Sequence, residues 1–187
     1  MSLQALISRP FELLLEMERR AKAAATARAG AAAESEEWIG IAFRLGGERF
    51  VTARTGVREV LPLPDHLTRV PGAKPWLRGI ANVRGQLLTI VDLKGFLGAG
   101  RTQADRQARI LMLASREVPT AVIVDEVLGF RRFSTDDYAK DAPPTVIRAE
   151  HYLEGCYRRD SESWPLFDLL KLIEDEQFLR GGEQVAV

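Results

Sequence analysis

The sequence predicts a mainly β protein built of two similar β-subdomains packed together, each ending in a short capped helix, with an extra helix at the N-terminus. Three observations predict it. From Trp38 onward, short runs rich in β-branched and aromatic residues are separated by glycine and proline punctuation. LRGIANVRGQLLTIVDL, from Leu77, aligns without gaps on LEGCYRRDSESWPLFDL, from Leu153, an offset of 76 (153 minus 77) that keeps leucine, glycine, aspartate and leucine in equivalent places. Val57, Glu59, Val60 and Leu61 fall in the same way on Val124, Glu126, Val127 and Leu128, an offset of 67 (124 minus 57). Many short strands with turn signals between them favour barrels or a sandwich over a parallel α/β fold.

The first segment, SRPFELLLEMERRAKAAATARAG, reads as a helix: Pro10 suits a first turn, Leu14, Met17 and Ala21 fall three and four apart, and Gly30 is a stop. An alanine-rich tether, AAAESEE, then leads to the main domain. This extension is either a frayed tail or a docking helix whose Phe11, Leu14, Leu15 and Met17 meet a partner groove. WIGIAFRL and ERFVTA form strands around the Gly46-Gly47 turn, and GVREVLPL continues as a strand until Pro62, Pro64, Pro71 and Pro75 interrupt regular structure. Leu77 to Ala81 and Gln86 to Val91 then make a hairpin around the loop Asn82-Val83-Arg84-Gly85, and Asp92 caps a short helix ended by Gly98 to Gly100.

The second half has the same texture. ARILMLA and TAVIVDEVLGF are almost continuously apolar, as strands buried on both faces are; RFSTDDYAKDAPPTV is a loop; HYLEGCYRR and SESWPLF are strands; Asp168 caps a helix through Leu169, Leu172 and Ile173. The expected organisation is 1–36 helix and tether, 37–179 main domain with subdomains 37–93 and 94–179 between which the first strand is free to exchange, and 180–187 a flexible tail.

Composition excludes several functions. Lys+Arg 26 and Asp+Glu 26 cancel, so no net field draws the chain to nucleic acid, although small barrels often bind it and that class stays as the alternative. His66, His151 and Cys156 have no metal-ligand spacing, and Cys156, beside Gly155 in a strand-like run, reads as a small core residue rather than a nucleophile. No nucleophile elbow, Walker or dinucleotide spacing is present, so no catalytic residue, cofactor or metal is expected. One cysteine, no apolar run of membrane-spanning length and no signal-peptide pattern predict a cytoplasmic protein. What remains is Glu59 in a valine-rich strand and Arg84 in the nearby loop. They either pair and fix the hairpin, or Arg84 reads a carboxylate on a partner; the two are compatible.

NVRG followed by QLLTIVDL, preceded by VREVLPL and followed by TAVIVDEVLGF, resembles the CheW-like domain of bacterial chemosensory systems, from about Trp38 to Phe178. The resemblance implies two five-stranded β-barrels over a shared apolar core. It also implies a non-catalytic adaptor between the cytoplasmic tip of a methyl-accepting chemoreceptor and the regulatory domain of a CheA-type histidine kinase, with no nucleic acid bound and no membrane insertion. By the same resemblance Asn82, Arg84 and Gly85 fall on the family's N-L-R-G loop, with Val83 in place of leucine, and Glu59 on the acidic residue that pairs with the arginine. Val57, Val60, Val124 and Val127 fall on apolar positions lining a receptor groove between subdomains. Cys156-Tyr157-Arg158 and SESWPLF depart from the family's smooth apolar strand. The extension with RPFELLLEMERR is similar to the PilI-type branch, adaptors of type IV pilus twitching-motility systems.

Overall fold

The computed structural model describes residues 37–115, 119–159 and 161–182; the N-terminal helix and tether expected over 1–36 lie outside them. The chain runs β1 (Glu37–Leu45), β2 (Glu48–Ala53), β3 (Val57–Pro62), β4 (Leu77–Val83), β5 (Gln86–Asp92), α1 (Leu93–Phe96), β6 (Arg109–Leu113), β7 (Thr120–Val124), β8 (Glu126–Ser134), β9 (Tyr138–Ala139), β10 (Leu153–Arg159), β11 (Glu162–Phe167), α2 (Leu169–Glu174) and α3 (Glu176–Leu179). The strands form two sheets, ordered β3-β6-β7-β5-β4 and β8-β1-β2-β11-β10-β9. None of the helices among the described residues is long and apolar enough to cross a membrane.

The sheets do not divide at residue 93. β6 and β7 join β3 to β5, because β7 adds in parallel beside β5, with Val91 opposite Val122. The first strand keeps β2 as one neighbour and takes β8 as the other, with eight partners from Glu37↔Ser134 to Arg44↔Glu126. The crossover is at Asp125, which breaks the apolar run 120–130 into β7 and β8. Its carboxylate accepts from the Gly46 N–H and from Lys94 Nζ at 3.0 Å, and its own N–H donates to the Arg44 carbonyl. Charge and backbone bonds hold the chain there, where a continuous strand would leave a carboxylate in the core.

Both sheets curl, but the closed barrels expected are not formed. Leu61 from one edge strand, β3, and Ala81 from the other, β4, share one apolar cluster, yet the edges do not hydrogen-bond to each other. A covering segment takes the place of a closing pair. In the five-stranded sheet, Thr68 of the proline-rich loop exchanges bonds of 2.9 and 2.8 Å with Ile80 of β4; in the other, the two-residue β9 pairs with Cys156 and Tyr157 of β10. Each segment covers part of its strand, Ile80 of β4 and Cys156 and Tyr157 of β10, and shields that part from pairing with another chain.

The repeat at an offset of 76 is reproduced in its bulges and its capping aspartates. Arg78 and Glu154 are the extra residues of matching bulges, between Leu77 and Gly79 and between Leu153 and Gly155. A Cβ on either glycine would come within 2.3 Å of the Thr68 carbonyl oxygen or 2.5 Å of that of Ala139, so only glycine lets the covering segment approach. Asp92 and Asp168 both cap the helix that follows, and their own N–H groups donate to the carbonyls of Trp76 and Tyr152.

The bulge residues differ in charge, and this has a measurable consequence. Arg78 pairs with Asp92 at 3.2 Å, whereas Glu154 faces Asp168. Burial, and after it the Asp168 carboxylate, hold Glu154 above the ordinary glutamate value of 4.5, with Lys171 opposing. A pKa raised on folding stabilises the native state only while the group is protonated, so its benefit is complete below about 4.5 and is lost as pH rises through the folded value. Glu154→Gln is therefore expected to raise the urea midpoint at about pH 7 and to leave it unchanged at about pH 4.

A shared core lies between the sheets, centred on Phe43, Phe50 and Phe167, whose ring centroids are 5.8 to 6.1 Å apart. The tryptophans pack rather than form a platform: Trp38 stacks on Tyr157 at 4.6 Å, Trp164 is buried in the second sheet's own cluster, and Trp76 meets Phe96 and Phe178. Cys156 is a buried strand residue. Arg180–Gly182, at the start of the expected tail, form a 3-10 turn, and the Gly181 carbonyl accepts from Lys74 N–H at 3.0 Å. Residues 183–187 lie outside the described ones.

Candidate functional site

The hairpin of β4 and β5 is tighter than the sequence predicts. Val83 pairs with Gln86, so β4 runs through Asn82 and Val83, and the turn is Arg84-Gly85 alone. Both residues have positive φ, 51° and 83°, the signature of a type I′ turn whose twist matches the strands it joins. The Asn82 side-chain oxygen accepts from the Gly85 N–H at 2.9 Å, which gives Asn82 and Gly85 a positioning role: they aim Arg84.

Arg84 donates to Glu59 Oε1 at 2.5 Å. Glu59 belongs to β3 and Arg84 follows β4, the two edge strands of one sheet, so the pair straps the mouth of the curl that hydrogen bonds leave open. With side-chain exposures of 71% for Arg84 and 35% for Glu59, solvent screens the pair and its stabilisation is on the order of 0 to 1 kcal/mol. The guanidinium keeps free N–H donors that a second carboxylate can take.

Beside this strap an open groove of about 710 Å³ separates the edge strand of one sheet from the edge strand of the other. Val57, Glu59 and Val60 line it from β3, Ile41 and Phe130 from β1 and β8, and Arg54 and Arg58 stand on its rim. Val60 is 36% and Phe130 63% exposed, a partly open apolar surface of the kind that marks an interaction site. Val57 is buried at the groove floor.

The other two valines are placed differently. Val124 is fully buried in the shared core, because it ends β7 on the face that packs against β1, and it supports the groove from beneath without reaching its surface. Val127 is half-buried against the same core. Their place in the wall is taken by Ile41 and Phe130, which sit opposite each other in the β1–β8 ladder. Leu128 is the extra residue of a bulge there, and Gly129, at φ 89°, turns the strand so that Phe130 faces the groove. A glycine inside an apolar run was the available sign.

The titratable groups of the groove are Arg54, Arg58 and Glu59, and no group of three or more His, Cys, Asp or Glu among the described residues is arranged to hold a metal. It is an apolar trough with a charged margin.

The profile of the CheW-like domain matches residues 40–177. The protein PilI of Pseudomonas aeruginosa is 35% identical over 173 residues, 92% of this chain and 96% of its own length. FrzA of Myxococcus xanthus is 30% identical over 126 residues, 67% of this chain and 78% of its own. Among solved structures, the scaffolding protein TtCheW of Thermoanaerobacter tengcongensis superposes with a TM-score of 0.63, covering 79% of this chain and 92% of that one; at 22% identity it speaks for the fold.

Proposed function

The chain belongs to the CheW-like domain family, and on that premise we propose that it is a cytoplasmic, non-catalytic chemosensory adaptor. It holds the cytoplasmic tip of a methyl-accepting chemoreceptor against the regulatory domain of a CheA-type histidine kinase, in a system that controls type IV pilus twitching motility. The observation that carries this reading is the apolar groove between the two sheets with the Glu59–Arg84 strap at its margin. A helix of a receptor tip lays its apolar stripe into such a groove, with Ile41, Val57, Val60 and Phe130 as walls and Arg84 as the polar reader beside them. The pilus assignment rests on the similarity to PilI, which extends over 92% of the chain and so beyond the matched domain.

Arg84→Ala is the test. In a reconstitution of the adaptor with receptor tips and kinase, this variant is expected to weaken receptor-coupled kinase activation while its unfolding free energy stays within about 1 kcal/mol of wild type. Full activation by Arg84→Ala would remove the arginine from the recognition role. Glu59→Ala and the double variant complete a cycle in receptor affinity: non-additivity is expected for residues in contact, and strict additivity would show that the strap does not set Arg84 for the receptor.

A further inference from the structure

We propose that Arg54 and Arg58 make the groove selective for a helix that carries carboxylates alongside its apolar stripe, so that these two residues decide which receptor tips the adaptor accepts. The inference rests on the reading of the groove as the receptor site and adds the chemistry of its occupant.

Three features carry it. The groove margin holds three charged side chains, and its one carboxylate, Glu59, is engaged by Arg84. Arg54 and Arg58 are exposed and have no carboxylate partner among the described residues. Their placement is built by the backbone: Arg54 opens the 3-10 turn Arg54–Gly56, and Arg58 is the residue left over by the bulge between Val57 and Glu59, which removes it from the β3–β6 ladder. A bulge re-aims a side chain in this way, and here it puts a cation next to Val57 and Val60 where a regular strand would continue the ladder. Arginine stems can lie along the apolar wall while the guanidinium heads meet groups at the edge of the occupant.

On a helix the positions three and four residues away flank an apolar stripe, so carboxylates there meet the two guanidiniums when the stripe is seated in the trough. A helix with lysines at those positions would instead bring like charges together as the groove desolvates, and would be rejected.

The test uses the full chain and a set of designed antiparallel helical hairpins that share one leucine stripe and differ only in its flanks, which are glutamate, glutamine or lysine. Binding is measured by isothermal titration. The glutamate hairpin is expected to bind roughly tenfold more tightly than the glutamine one, with lysine weakest, and the preference should shrink with added salt. In the R54Q/R58Q variant the glutamate and glutamine hairpins should bind within about twofold of each other, at the affinity the wild type shows for glutamine. Equal wild-type affinity for glutamate and glutamine flanks, or a preference that survives in R54Q/R58Q, would overturn the role of the arginines. Val60→Asp separates this from the underlying reading: it should abolish binding of every hairpin. If hairpins bind Val60→Asp as well as wild type, or bind no version of the chain, the groove is not the receptor site and both conclusions fall.

Discussion

Replacing Asp92 with alanine is expected to cost about 3–5 kcal/mol of stability, because it takes the carboxylate from a largely buried guanidinium and leaves several donors unpaired at once. Asp92 is 1% exposed and accepts from the Gly95 N–H at 3.2 Å, the Thr102 N–H at 2.9 Å, the Thr102 hydroxyl at 2.8 Å and Arg78 Nη1 at 3.2 Å. One carboxylate thus caps α1, ties down the segment that follows it and neutralises the bulge residue of β4. Its counterpart in the repeat, Asp168, accepts helix-cap bonds from the Leu170 and Lys171 N–H groups, and where Asp92 has an arginine beside it, Asp168 has Glu154. Asp168→Ala should cost only about 1 kcal/mol, the ordinary value of a lost cap. Urea unfolding of the two variants checks the contrast; equal losses would mean that the Arg78 contact adds nothing beyond capping.

Phe167→Ala should be comparably severe, about 3–5 kcal/mol. Phe167 is fully buried at the end of β11, and its ring meets Phe43 and Phe50 edge-on and stacks on Tyr152 at 5.7 Å. Those neighbours come from strands and turns of different parts of the chain, so they cannot all shift to fill the space that truncation leaves. Phe167→Leu keeps most of the volume and should lose considerably less. A thermal or urea midpoint for alanine close to that for leucine would show that the shared core relaxes around the site.

The repeat was legible because it is written in residues with strict backbone duties. Gly79 and Gly155 permit a close carbonyl, and Asp92 and Asp168 cap helices; such positions tolerate few alternatives, so they stay visible in a linear alignment. Glu59 and Arg84 were also readable, since two charges near apolar strands need each other or a partner. The burial of Val124, which the resemblance implied to line a groove, was not legible in the local pattern. Alternation tells which residues share a face, but the break at Asp125 and the bulge at Leu128 reset that alternation, and Phe130 took the surface position in its place.

By itself, the sequence determined the strand-rich class, the two capped hairpins, the arginine held on a tight turn and the family resemblance. All of these follow from local chemistry: positive φ at glycine, side-chain caps, and period-two burial. Only the tertiary structure decided that β1 and β2 cross to join β8 through β11, that covering segments stand where barrels would close, and that Ile41 and Phe130 rather than Val124 and Val127 wall the groove. These depend on which edge strands meet across long stretches of chain, and that choice is made by packing and by bulges whose effect on register no local pattern contains.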